Sequence, residues 1–210
     1  NRGERVVADP GAVADLVAGA IHFARMADDL QQANRKLEQL SMIDGLTGIA
    51  NRRRFDQQLC VDWRRMAAEG RPLALLMVDA DAFKPLNDAA GHLYGDECLR
   101  ELARICNGFA DGDNGLVGRF GGEELVLLLP GRDLAAATAI AEALRIAVEA
   151  QAMPHPASPV SAHVTVSVGV AVAVPAAARP PERLIAAADR AMYAAKLQGR
   201  NRVCVAGAES

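Results

Sequence analysis

The most regular hydrophobic pattern lies near the start of the chain. Between about Val13 and Ile43 there is no proline and a single glycine, Gly19, and Leu16, Ala20, Phe23, Ala27, Leu30, Asn34, Leu37 and Ser41 alternate spacings of four and three. That alternation places them along one seam of a long helix and predicts a coiled coil, with polar Asn34 where a register-setting residue sits. At ~1.5 Å per residue the helix would be about 45 Å long, too long to pack wholly against one small domain. A dimerising leader over residues 1–43 is therefore favoured over an amphipathic helix folded onto its own domain.

Beyond the leader the pattern changes. Asp44-Gly45-Leu46-Thr47-Gly48 breaks the helix, and a second helix is predicted from about Asn51 to Glu69. Leu73 to Val78 is an uninterrupted apolar run ending in Asp79, which reads as a strand buried on both faces. A helix is predicted from about Gly95 to Phe109, with Leu99, Leu102, Ala103 and Cys106 on one face. Leu116 to Phe120 and Glu123 to Leu129 are strand-like and flank Gly121-Gly122, which predicts a hairpin turning on those two glycines. Then come a helix over Ala135 to Ala150, a proline-rich loop at Met153 to Pro159, and a β-branched strand over Val164 to Val174. Pro180-Pro181 opens a last helix through Lys196, closed by Gly199 and followed by a short strand at Arg202 to Val205. The order α-β-α-β-β-α-β-α-β predicts an α+β domain over residues 44–210, a mainly antiparallel central sheet with helices on both faces.

Composition narrows the class. At 210 residues and 51% hydrophobic, the chain can bury a core without a disulfide or metal staple. A formal net charge of −3 without blocks of like charge argues against a broad nucleic-acid or anionic-membrane surface. Cys60, Cys98, Cys106 and Cys204 show no CxxC pair or accompanying histidine run, so buried free thiols in a reducing compartment are expected. No apolar run approaches the roughly 18 residues of a spanning helix and no signal segment opens the chain, which predicts a cytoplasmic protein. The first residue is Asn1 rather than Met, so an upstream sensory part is expected to be missing.

The candidate chemistry is acidic. Asp79 and Asp81 end the buried strand, and two apart on an extended chain they would point to one side. Glu123 and Glu124 follow the glycine turn, where a neighbouring strand can bring one of them alongside Asp79. Carboxylates gathered at strand ends repel one another unless a hard divalent cation lies between them, and magnesium accepts carboxylate and phosphate oxygens together. Between the clusters, Lys84 offers a point charge, while Asn87 and Asp96 offer a mixed donor-acceptor and a pure acceptor that together suit a guanine edge. No GxxxxGK[ST] occurs, which excludes a P-loop enzyme, and no GxSxG marks a serine hydrolase.

Asp44-Gly45-Leu46-Thr47-Gly48 with Asn51-Arg52-Arg53, Asp79-Ala80-Asp81-Ala82-Phe83-Lys84, Asn87-Asp88, Gly91-His92, Gly95-Asp96, Arg119-Phe120-Gly121-Gly122-Glu123-Glu124-Leu125, Ser167-Val168-Gly169, Ala188-Asp189 and Lys196 to Asn201 occur in that order. From about Ser41 to Val205 the chain thereby resembles the GGDEF family of diguanylate cyclases. The resemblance implies a nucleotidyl-cyclase or polymerase-palm fold that condenses two GTP molecules into cyclic di-GMP with release of two pyrophosphates. It implies that Asp79, the Ala80 carbonyl and Glu123 hold Mg²⁺ or Mn²⁺, that Glu123 is the base for the 3′-hydroxyl, and that Glu124 is a second acid at the metal. Asn87 and Asp96 would read guanine, with His92 among the substrate-binding residues, and Gly121 and Gly122 would let the nucleotide lie against the turn. Lys84 would stabilise the transferring phosphoryl group, and Lys196 and Arg200 would grip the terminal phosphates. Since one domain holds one GTP, two must face each other in a homodimer joined through the leader.

Two departures from the family stand out. The signature ends in Leu125 where phenylalanine is usual, a tolerable swap if the side chain only packs behind the turn. The RxxD motif that often binds product in the family is replaced by Gly112-Asp113-Asn114-Gly115, so the arginine that would grip a product phosphate is absent. The alternative is a catalytically inactive GGDEF-like module that binds GTP or a partner. Such copies usually lose an acid or glycine of the signature, whereas Asp79, Gly121, Gly122, Glu123 and Glu124 are all present here.

Overall fold

Strand β1 (Leu73–Ala80) is buried along its whole length and divides the interior in two. Ala74, Leu76, Val78 and Ala80 enter one apolar cluster, whereas Leu73, Leu75 and Met77 enter another, as the two-residue period of a strand requires. The structure, a computed structural model, describes Phe23, Arg25, Met26 and residues 42–110, 115–176 and 179–207. The chain divides into two compact units, residues 1–41 and 42–210. In the first, Phe23, Arg25 and Met26 are helical, and the rest of the predicted seam lies outside the described residues.

The second unit runs α1 (Arg52–Glu69), β1, α2 (Phe83–Ala90), α3 (His92–Ala110), β2 (Leu116–Gly121), β3 (Glu124–Pro130), α4 (Leu134–Ala150), β4 (Val166–Ala173), α5 (Glu182–Leu197) and β5 (Val203–Val205). The sheet order is β2-β3-β1-β4-β5. All pairings are antiparallel except β4 with β5, which is parallel. Helices α3 and α4 cover the first cluster, and α1 and α5 cover the second. This is the expected α+β architecture.

Local chemistry explains the element ends. The Asn51 side chain accepts from the Arg54 N–H at 3.0 Å and so caps α1, which stops at Gly70 with φ 63°. Asp133 caps α4 in the same way, accepting from the Ala136 N–H at 2.8 Å. On β4, a Cβ at Gly169 would collide with the Ala188 carbonyl and the Met192 backbone nitrogen. The missing side chain lets α5 lie directly on the sheet, which sets the height of the turn that carries Lys196.

Three features differ from the sequence reading. Residues 83–94, which carry Pro85 and Gly91, fold as α2 and the first turn of α3. Pro85 sits in the first turn of α2, where its missing N–H has no intrahelical partner to lose, and Gly91, with φ 88°, makes the joint between the two helices. The hairpin turns on Gly122 and Glu123 rather than on Gly121 and Gly122, because Gly121 still pairs with Glu124. The cause is a register shift between Arg119 and Gly121 that frees Phe120 from the ladder. The Phe120 ring packs edge-on to Phe55 at 5.8 Å and lies 3.4 Å from the Arg52 guanidinium. All four cysteines are free, but Cys60 and Cys204 are only half-buried beside fully buried Cys98 and Cys106. No helix among the described residues is long and apolar enough to cross a membrane.

Candidate active site

Strand register brings the acids together. Asp79 pairs with Glu124 across β1 and β3, and Glu123 stands in the turn just before it. Asp79 is 4% exposed. Lys196 reaches it from the last turn of α5, with Nζ 2.7 Å from Asp79 Oδ2. Burial pushes the Asp79 carboxyl up to about 6; Lys196 pulls against this, and the negative charges of Glu123 and Glu124 add to it. Glu124 is also raised, first by burial and then by Asp189 and Glu123, against the pull of Lys196 and Arg52. One ammonium therefore faces a surplus of carboxylates.

Asp81 has left this group. The chain turns out of β1 after Ala80, and the Asp81 carboxylate accepts from Thr165 Oγ1 at 2.8 Å, Ser167 Oγ at 2.6 Å and the Asn201 N–H at 3.0 Å. Asn201 follows Arg200, and both are left-handed, with φ 44° and 63°. The Asn201 amide donates to Glu149 Oε1 at 2.9 Å and accepts from Arg145 Nη1 at 2.9 Å, tying the loop to α4. This latch holds the end of β1 to the segment that carries Arg200.

The turn has its own clamp. Arg119 Nε donates to the Gly122 carbonyl at 2.8 Å, and its Nη1 lies 3.3 Å from both oxygens of Asp44. Asp44 also accepts from the Thr47 N–H at 2.9 Å and from Thr47 Oγ1 at 2.6 Å. Burial works to raise the Asp44 carboxyl, but the Thr47 hydrogen bonds and the Arg119 charge outweigh it and hold it below the usual range. The Asp44 to Gly48 motif thus braces the turn that presents Glu123.

The residues expected to read the base lie on α2 and α3. Asn87 Oδ1 is buried and has no hydrogen-bond partner among the described residues. A Cβ at Gly95 would collide with this oxygen, so glycine there keeps room for the Asn87 amide. Asp96, the next residue, is half-buried, whereas Lys84 and His92 are exposed. Lys84 makes no ion pair among the described residues, and no contact joins it to the carboxylates. Lys196 is spent on Asp79 rather than free, and Arg200 lies half-buried in the turn that follows α5. Gly112, Asp113 and Asn114 lie outside the described residues.

The donor set can be tested for a cation. No group of three or more His, Cys, Asp or Glu side chains that could hold a metal occurs among the described residues. A protein-enclosed cage is therefore not present. Magnesium, however, is commonly held by one or two carboxylates and completes its shell with water and phosphate oxygens. Buried, proton-attracting Asp79 with Glu123 and the Ala80 carbonyl fits that open kind of site.

The sequence reading missed Thr165 and the Arg145–Glu149–Asn201 network, and it gave Ser167 and Asn201 no role beyond the resemblance. A serine within the otherwise apolar run around Ser167 and an asparagine just after Gly199 and Arg200 were the available signal.

Comparison with known proteins agrees with this arrangement. The family described as "Diguanylate cyclase, GGDEF domain" matches residues 41–202. The chain belongs to that family. It is 37% identical over 199 residues to the response regulator PleD of Caulobacter vibrioides, covering 93% of this chain and 42% of PleD. It is 34% identical over 189 residues to the diguanylate cyclase VdcA of Vibrio cholerae, covering 90% of this chain and 52% of that protein. The chain thus spans about half or less of these relatives. Among solved structures, the coiled coil and GGDEF domain of DgcB from Caulobacter crescentus, in complex with c-di-GMP, superposes with a TM-score of 0.71 at 28% identity. The match covers 93% of this chain and 99% of that one. The active GGEEF domain of a diguanylate cyclase from Vibrio cholerae gives 0.69 at 28% identity, covering 77% and 99%.

Proposed function

We propose that this chain is a diguanylate cyclase, the catalytic output of a longer signalling protein, and that it condenses two GTP into cyclic di-GMP and two pyrophosphates. The observation that carries this reading is the pairing of buried Asp79 with Glu124 beside Glu123, an excess of negative charge built into the end of a rigid sheet. Structural acids are normally given partners, and among the described residues these share one lysine in direct contact, with Arg52 acting on Glu124 only through its charge.

In the proposed reaction, the 3′-oxygen of one GTP attacks the α-phosphorus of the other. The P–O bond to the β-phosphate breaks, and pyrophosphate leaves with the bonding electrons. Glu123 takes the 3′-hydroxyl proton, and a second such transfer, with the two nucleotides' roles exchanged and a second pyrophosphate leaving, closes the ring. Asp79, Glu123 and the Ala80 carbonyl would hold Mg²⁺ or Mn²⁺, with Glu124 next to them, and the cation would supply charge stabilisation at the phosphates. Lys84 meets charge on the transferring group, Arg200 and a released Lys196 meet the terminal phosphates, and Asn87 and Asp96 select guanine.

The reading requires two GTP-loaded domains face to face, so the chain acts as a homodimer assembled through residues 1–43. Its substrate places it in the cytoplasm. Purified protein incubated with GTP and Mg²⁺ should yield cyclic di-GMP by mass, and deletion of residues 1–40 should make specific activity fall steeply on dilution. Intact GTP after prolonged incubation would refute the assignment. A deletion variant insensitive to dilution would refute the role of the leader.

A further inference from the structure

We propose that His155 is a positioning residue for the reaction proposed above: its imidazole clamps Ala82 in a left-handed conformation and thereby fixes the start of α2, the helix that carries Lys84 and Asn87. The proposal rests on the cyclase reading for its activity readout, and on geometry alone for the clamp.

Ala82 has φ 54° and ψ 38°. In that region Cβ is crowded by the carbonyl oxygen that follows, so residues other than glycine, asparagine and aspartate seldom occupy it. Alanine has no polar side chain to offset the cost, and Ala82 gives α2 no side-chain cap. Something outside the residue must hold it there. His155 Nε2 lies 3.0 Å from the Ala82 carbonyl oxygen, which also accepts the Leu86 N–H at 3.1 Å to open the helix. A carbonyl can only accept, so Nε2 carries the hydrogen of this bond. Nδ1 is buried and has no hydrogen-bond partner among the described residues, and the residue is 2% exposed. A polar ring buried with one nitrogen idle owes its place to the bond made by the other.

The clamp is itself anchored. The His155 N–H donates to the Ala162 carbonyl at 2.8 Å, and the Val164 N–H donates to the Met153 carbonyl at 2.8 Å. Pro154 bridges to His163, and Tyr94 Oη donates to the Pro154 carbonyl at 2.9 Å. The proline-rich loop is thus fastened both to the approach to β4 and to α3.

The neighbours of Ala82 show what the clamp is for. Asp79 and Ala80 are set by the sheet, Asp81 by the latch, and Phe83 by the first apolar cluster. Ala82 is the joint between the fixed end of β1 and α2, whose Phe83 and Leu86 pack in the first apolar cluster. Relaxing it to a right-handed conformation would redirect the start of α2, and with it Lys84 and Asn87, relative to the end of β1 while leaving the sheet intact.

The test uses the whole chain and pairs two substitutions. His155→Ala should lower kcat/KM for GTP by about 5- to 30-fold, the range set by the cost of a left-handed alanine, with KM rising more than kcat falls. His155→Gln, which can place an amide N–H near the same carbonyl, should recover part of the loss. Ala82→Gly in the His155→Ala background should restore kcat/KM to within about threefold of wild type, because glycine takes this conformation freely. A ring that merely filled space would not be replaced in this way, since glycine adds nothing to the vacated volume.

Amide hydrogen exchange at Leu86 gives a second readout that needs no turnover. It should quicken in His155→Ala and slow again in the double variant. A wild type without cyclase activity would refute the proposed function and leave the exchange arm to decide the clamp. Unchanged exchange and kcat/KM in His155→Ala, or a loss that Ala82→Gly fails to restore, overturns the proposal. Should His155→Ala not fold, recovery of folding and slow exchange in the double variant supports the clamp, and failure of both overturns it.

Discussion

Asp79 and Asp81 stand two residues apart at the end of one buried strand, and their surroundings are opposites. Asp81 receives three hydrogen bonds and joins strand, loop and helix into one latch. Asp79 is equally hidden from water but faces two glutamates and one lysine, and its carboxyl is pushed up to about 6. The fold satisfies the acid it needs for architecture and leaves the other short of positive charge. Such unbalanced negative charge at a rigid, buried position favours binding of a cation over the empty state.

The sharpest way to break this comparison is the same isosteric change at both positions. Asp79→Asn, like Glu123→Gln, should lower GTP turnover by at least about 100-fold, because it removes negative charge from the site that binds cation and phosphate. Its unfolding free energy should match or exceed that of wild type at neutral pH, since a buried repelled charge is gone. Asp81→Asn should instead destabilise the fold by about 1–3 kcal/mol, because an amide N–H₂ is set against hydroxyl and N–H donors that need an acceptor. Denaturant titration of both variants reads this difference directly. Equal stability losses would erase the distinction between the two acids.

A smaller effect is expected at the base. Guanine offers N–H donors to Asp96, whereas adenine presents an acceptor at N1, so GTP should be preferred to ATP by at least roughly tenfold. Asp96→Ala should erode that ratio, which competition kinetics would show. Gly95→Ala should raise KM for GTP by about three- to tenfold with little change in kcat, by pushing the Asn87 amide from its place. Equal competition by ATP in the wild type would assign Asn87 and Asp96 to other work.

An effect as modest as that of Gly95→Ala should come from the brace. Arg119→Ala frees the Gly122 carbonyl and Asp44, and should cost about three- to tenfold in kcat with the sheet intact. Wild-type turnover in this variant would show that the turn holds Glu123 without help.

Much of the fold was legible because the core obeys simple periods. Leu73 to Val78 is apolar throughout and proved to be a strand covered on both sides, and the helix faces repeat at three and four. What escaped had local signals that pointed elsewhere. Pro85 and Gly91 argued against helix, and only their places at a first turn and at a joint made them compatible with α2 and α3. The hairpin turn moved by one residue because the register shifts at Phe120, whose ring packs against Phe55 and the Arg52 guanidinium. In the candidate site, the pairing of Asp79 with Glu124 follows from their strand-end placement, whereas the ion pair between Lys196 and Asp79 was not foreseen, because Lys196 was expected at the terminal phosphates. The latch could not be read in advance, since Thr165, Ser167 and Asn201 lie 84 or more residues from Asp81 and only the sheet pairing brings them close. His155 was hidden in a proline-rich loop that looked like a connector.

The most direct test of the central claim is GTP turnover by Asp79→Asn at saturating Mg²⁺, followed by mass detection of product and paired with its unfolding curve. The account predicts a cooperative unfolding transition at least as stable as that of wild type and no detectable cyclic di-GMP, while wild type converts GTP under the same conditions. Wild-type turnover by a fully folded Asp79→Asn would contradict it, because the charge surplus at the end of β1 would then have no part in the chemistry.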